Sequence, residues 1–133
     1  MYPYGKSAAF TRLSGDHGLT GTVRFYQHPG GVLVEASVKG FHDDGFHGFH
    51  IHTGKVGGHY NPTDNPHPNH AGDLPPLLSA GGRAYMTVLT NRFSIREIIG
   101  RTVVIHENPD DFHTQPSGNA GEPIATGTIQ RAT

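Results

Sequence analysis

Residues 45–74 read GFHGFHIHTGKVGGHYNPTDNPHPNHAGDL. The stretch opens as a strand, because side chains two apart share a face: His50 and His52 project together, while Phe49 and Ile51 turn into the opposite layer. It then loses all periodicity, and residues 53–82 read as one long loop rich in glycine, proline, asparagine and histidine. A loop of that length in a small protein is functional or disordered, and the histidines favour function. Six of them (His47, His50, His52, His59, His67 and His70) share the thirty residues with the carboxylate of Asp73. Neutral imidazole is the commonest protein metal ligand near pH 7, so the stretch reads first as a metal site beside a strand.

The rest of the chain supplies the strands. A short β-like run marks residues 7–13, and alternation of period two marks 19–27 and 32–38, the last with Val32, Val34, Ala36 and Val38 on one face. His28-Pro29-Gly30-Gly31 between the latter two predicts a hairpin. Further strands are predicted at 46–52, 83–90, 101–106 and 124–129, with 93–100 a short strand or a single helical turn. A second long loop fills 107–123, and there is no internal repeat. Seven or eight short strands with two oversized loops predict an all-β sandwich or Greek-key barrel whose loops build the site.

Composition agrees and narrows the function. At 133 residues with 34% apolar content, one domain over 1–133 with one core is expected. Nineteen glycines, ten prolines and only 16% charged residues suit strands and turns better than helices. The formal charge of -1 offers no basic surplus for nucleic acid, and no apolar run is long enough for a membrane span. MYPYGK opens no signal-peptide pattern, so the chain as given reads as cytoplasmic, or as extracytoplasmic if a leader has been removed. With no cysteine, any metal is held by nitrogen and oxygen.

The candidate ligands fall into two groups. His50 and His52 lie a pleat apart, and His106 ends the strand RTVVIH, where a neighbouring strand can bring it beside them; such an imidazole set suits copper or zinc. His67, His70 and Asp73 step by three through NPHPNHAGD, where interleaved prolines forbid a regular helix, and fit tetrahedral zinc if one more ligand arrives. His59 lies between the groups and has two ring nitrogens, so it can serve both. His47 shares the face of Phe49 and reads as a structural hydrogen-bonding residue; His17, His28, His42 and His113 read as solvent-exposed turn residues.

The successive segments GFHGFHIH, GGHYNP, HPNHAGDL, GRTVVIHENPDD and GNAGEPIATG resemble, in order and across residues 18–129, the signatures of the copper-zinc superoxide dismutases. The resemblance implies an eight-stranded Greek-key β-barrel with two functional loops, and an enzyme that disproportionates superoxide to dioxygen and hydrogen peroxide. It implies copper held by His50, His52, His59 and His106, and zinc by His59, His67, His70 and Asp73. His59 is then the bridge, His59 and His106 are the catalytic histidines, and Asp110 is the carboxylate that ties a copper ligand to a zinc ligand. Departures from the pattern also carry information. Where the family carries an arginine over the copper, Gly121 is followed here by Glu122 and Pro123, so Pro123 stands at the arginine position and Lys55 is the candidate substitute cation. The cysteine pair that staples loop to barrel is replaced by Thr53 and Thr126. Family dimer contacts depend on that loop, which leaves a monomer or a non-standard dimer expected. The competing reading is a non-catalytic copper- or zinc-binding protein on the same scaffold.

Overall fold

The computed structural model describes residues 5–55 and 57–132. Strand β1 (Ala9–Ser14) leads through a tight turn to β2 (Thr20–His28), which forms the expected hairpin with β3 (Gly31–Lys39), in register from Thr20 opposite Lys39 to His28 opposite Gly31. Then come β4 (Gly45–His52), β5 (Asp73–Ser79), β6 (Arg83–Thr90), a single helical turn α1 (Ile95–Ile98), β7 (Thr102–His106), β8 (Pro123–Thr128) and the two-residue β9 (Gln130–Arg131). All pairings are antiparallel, in the order β5-β4-β7-β8-β1-β2-β3-β6, with β9 added to β1. Because β5 and β6 also lie side by side, the sheet curls into a nearly closed barrel. The chain passes from β3 to β4 over β6 and β5, and from β6 to β7 over β5 and β4, which is a Greek key. Among the described residues no helix is long and apolar enough to cross a membrane.

Residues 53–82 do not form one continuous loop: 73–79, DLPPLLS, are β5. Two adjacent prolines hide the strand in the sequence, since proline cannot donate to a ladder. The barrel accepts them because β5 has a hydrogen-bonded neighbour on one side only, and because its pairing with β4 skips between His47 and Phe49, where a bulge absorbs them.

Alternate residues fill the barrel. Val32, Val34, Ala36 and Val38 face inward from β3, Val103 and Ile105 from β7, and Phe49 and Ile51 from β4, all buried. Phe49 and Ile51 set the register of β4, each stabilising it by about 1.5–3 kcal/mol through burial. A slip of one residue would turn His50 and His52 into the core. The core therefore aims these two imidazoles at the outer face, where residues 53–72 and 107–122 cover them.

Candidate metal centre

His50 and His52 from β4, His106 from the end of β7 and His59 from the covering loop converge on the outer wall. One donor atom from each lies within 4.8 Å of all the others. β4 and β7 pair directly, with His50 opposite Val104, which carries His106 to the same end as the HIH pair. His59 is brought in by an isolated bridge to His52.

Each ring is held from behind by one nitrogen. His50 Nε2 lies 2.7 Å from Asp110 Oδ2 and His59 Nδ1 lies 2.7 Å from Asp73 Oδ1. His52 Nδ1 and His106 Nδ1 donate to the carbonyls of Gly57 at 3.1 Å and Gly121 at 2.9 Å. The opposite nitrogens, His50 Nδ1, His52 Nε2, His59 Nε2 and His106 Nε2, are buried without any hydrogen-bond partner. Four orphaned donors around one point would cost several kcal/mol in aggregate unless their lone pairs are used, at roughly 1–3 kcal/mol each. A metal ion uses all four, and the far-side hydrogen bonds fix the tautomers it needs.

Burial also favours the unprotonated form of His50, His52 and His106. It pushes His50 down to about 3 and His52 down to about 4, assisted in both by the neighbouring imidazole His59. His106 is lowered by burial too, with Glu122 among the charges opposing the shift. The carboxylate of Glu122 is therefore near enough for its charge to be felt at His106.

A second knot of donors surrounds Asp73. Besides the bond to His59, its Oδ2 lies 3.0 Å from His67 Nδ1 and 3.2 Å from His70 Nδ1. The His67 contact is close but off the line of a hydrogen bond. His70 Nδ1 is also 3.2 Å from His59 Nδ1. Donor atoms of His50, His59, His67 and Asp73 form a second group within 4.8 Å, so His50 and His59 belong to both groups, while His70 stands outside the second and reaches Asp73 and His59, each at 3.2 Å. Burial works to raise the Asp73 carboxyl, but the hydrogen bond from His59 and the imidazoles of His59, His67 and His70 outweigh it and hold the group below its ordinary value. An anionic carboxylate with three imidazole nitrogens fits tetrahedral zinc.

Asp110 joins the two groups. Its Oδ2 meets His50 Nε2 and its Oδ1 meets His67 Nε2, both at 2.7 Å, while Oδ1 also accepts from Phe112 N–H at 2.8 Å. His47 lies elsewhere: its Nδ1 bonds the His106 carbonyl at 3.0 Å and its Nε2 lies 3.3 Å from Ser79 Oγ, a structural role. Pro123 begins β8 and lines a cavity of about 450 Å³ together with His52, Lys55, Thr102 and Val104.

Several supporting residues carry no sequence signal. Gln115 accepts from His67 N–H and donates to the His67 carbonyl, at 2.9 and 2.8 Å, and Arg92 donates to the carbonyls of Pro68 and His70. Gly118 has φ +76, and a Cβ there would stand 2.0 Å from Asp110 Oδ1. Where a disulfide is absent, Arg101 donates to the Thr53 carbonyl at 3.2 Å, lies 4.0 Å over the Tyr60 ring and bonds the Glu97 carbonyl, while Tyr60 donates to the Glu97 carboxylate. This non-covalent clamp ties the covering loop to α1.

A Greek-key barrel whose two histidine-rich donor groups share His50 and His59 is suited to holding metal through nitrogen and oxygen ligands. The family profile described as Copper/zinc superoxide dismutase (SODC) matches residues 19–129. The Cu-Zn superoxide dismutase A of Xenopus laevis is 36% identical over 141 residues, covering 88% of this chain and 93% of that protein. The Cu-Zn superoxide dismutase of Deinococcus radiodurans is 33% identical, covering 84% and 78%. A crystal structure of the clock protein EA4 superimposes with a TM-score of 0.85 at 28% identity, over 99% of both chains. The chain belongs to the copper/zinc superoxide dismutase family, a family of enzymes whose cofactors are copper and zinc.

Proposed function

We propose that the protein disproportionates superoxide at a copper/zinc pair joined by His59. The observation that carries this reading is the set of four buried, unpartnered nitrogens on His50, His52, His59 and His106, each ring braced by a hydrogen bond on its other side. These four would hold copper, and His59, His67, His70 and Asp73 would hold zinc. Copper supplies the one-electron chemistry of dismutation, and zinc a fixed positive charge.

The remaining work falls to the chain. His59 presents Nε2 to one group while Nδ1 is engaged in the other, so Nε2 is the atom at which a proton for the product can be held and released. Asp110 couples the positions of His50 and His67, and Gly121 and Gly57 hold the His106 and His52 rings. No arginine faces this centre in the proposed reading, because Pro123 stands in its place. What supports Lys55 as the anion-attracting cation is its position on the cavity wall beside His52 and Pro123, where no other described lining residue is lysine or arginine. Glu122 works against it through its charge on His106.

The test is reconstitution with copper and zinc, a count of bound metals, and superoxide loss followed over many equivalents at two salt concentrations. Sustained turnover with both metals bound is expected. Consumption of only about one equivalent per chain would make this a metal-binding protein on a dismutase scaffold.

A further inference from the structure

The barrel wall remote from the metal centre carries an unbalanced charge. On the outer face of β1, β2, β3 and β6, Arg12, Arg24, Lys39 and Arg83 alternate with inward core residues, and Lys6 joins them from the segment before β1. These five are half of the chain's ten lysines and arginines, in a molecule whose formal charge is -1. None of them pairs with a carboxylate among the described residues. Glu35, the acid on this face among the described residues, stands directly opposite Arg24 but is engaged elsewhere. It accepts from the Tyr26 hydroxyl at 2.9 Å and from the Tyr85 hydroxyl at 2.7 Å.

The cations are ordered by the sheet. Lys39 and Arg83 are directly opposed in the β3–β6 ladder. Like charges in that relation cost stability, so the pair is at its best only when an anion lies over it. Thr20 stands beside Lys39, and Thr22 stands between Arg12 and Ser37, which sets hydroxyls among the charges. Two cavities of about 350 and 460 Å³ run along this wall and share Arg12 and Thr22, so they join into one trough. No carboxylate lines either of them. With strands about 4.8 Å apart, the trough crosses about 14 Å from β1 to β6, which suits an extended chain better than one small anion.

We propose that this wall docks a linear acidic polysaccharide bearing sulfate or uronate groups, laid from Arg24 past Arg12 to Lys39 and Arg83. Guanidinium forks bind flat or tetrahedral oxyanions through paired N–H donors, and the intervening hydroxyls of Thr20, Thr22 and Ser37 match the hydroxyls of a sugar. A single-stranded nucleic acid needs a series of free rings on which to stack its bases. Here the Phe10 ring has the Arg12 guanidinium 5.3 Å from its centre, and Tyr85 is the one large exposed ring on the face. A bilayer needs an apolar face to enter it, and this trough offers cations and hydroxyls. Docking by this wall leaves the opposite wall, β4 and β7 with the covering loops, open to solvent.

The experiment uses the full chain loaded with copper and zinc, and a fluorescein-labelled heparin octasaccharide, which carries both sulfate and uronate. Fluorescence anisotropy at two salt concentrations should show binding that weakens as salt rises. The double variants Lys39→Gln/Arg83→Gln and Arg12→Gln/Arg24→Gln should each weaken it about tenfold, because each removes two charge-assisted contacts. Arg96→Gln, exposed on α1, should bind as the parent does. The Lys39→Gln/Arg83→Gln variant should also melt no lower than the parent, since it removes an opposed pair of like charges. No binding by the parent, an equal loss in Arg96→Gln, or a lower melting temperature for Lys39→Gln/Arg83→Gln would overturn the assignment. So would oligodeoxythymidine or phosphatidylglycerol vesicles binding as tightly as heparin, because the partner would then be a nucleic acid or a membrane. The readout is binding at a wall that holds no metal ligand, so failure of the superoxide assay would count against the proposed reaction and leave this surface standing.

Discussion

Replacing Gly118 by alanine tests whether Asp110 holds the two donor groups together. The new Cβ would lie 2.0 Å from Asp110 Oδ1 and 2.6 Å from His67 Nε2, so one must move. Asp110 cannot swing aside freely, because His50, His67 and the Phe112 N–H all bind its carboxylate. Breaking the Asp110–His67 bond costs about 1.5–3 kcal/mol, as for hydrogen bonds to charged groups. Forcing alanine into the left-handed region adds about 1–2 kcal/mol. The sum of about 2.5–5 kcal/mol corresponds, at about 4 °C per kcal/mol for a chain of this length, to a melting temperature lower by about 10–20 °C. Gly100→Ala is the control: Gly100 has φ +86 but no atom within 4 Å of an added Cβ, so it should suffer the strain alone, about 4–8 °C. The assay is calorimetric melting of metal-free protein, followed by zinc titration. Equal shifts for the two variants, with zinc affinity unchanged at Gly118→Ala, would refute the role given to Asp110.

Other outcomes follow from the same geometry. His106→Ala removes one of the four orphaned nitrogens and should abolish superoxide turnover while one zinc equivalent remains, as measured by metal counting. In metal-free protein the lowered His50 and His52 stay neutral when folded but take up protons when unfolded, so stability is full above pH 6.5 and drains as pH falls toward 4. The slope should approach about 1.4 kcal/mol per pH unit for each histidine, and a flat urea midpoint between pH 6.5 and 4.5 would contradict it. Lys55→Ala should lower kcat/KM about three- to tenfold and flatten its salt dependence, whereas Pro123→Arg should raise and steepen it; stopped-flow superoxide decay at two ionic strengths decides.

Period-two alternation made most of the barrel legible, because an inward Phe49 and Ile51 force an outward His50 and His52. β6 was readable to the residue at 83–90. β5 was not, since Pro75 and Pro76 erase the donor pattern and only an edge position with a bulge makes them acceptable. At the site, histidine spacing singled out candidates because ligand type is local information. The braces were invisible for the opposite reason: Gln115 reaches His67 across 48 residues, and Arg92 reaches Pro68 across 24. Likewise Gly118 shows its purpose only once Asp110 is packed against it.

The clamp of Arg101, Tyr60 and Glu97 has a consequence for the chemical durability of the molecule. The proposed reaction releases hydrogen peroxide beside the covering loop. A loop held by a disulfide would be released on reduction, and its freed thiols would then be exposed there to the oxidation ladder that ends in irreversible sulfinic and sulfonic acids. Here the chain contains no cysteine, and the loop is fastened by a guanidinium, a phenol and a carboxylate. Its fastening needs no oxidase to form and no reductant to repair, so the loop should hold one position across any redox poise.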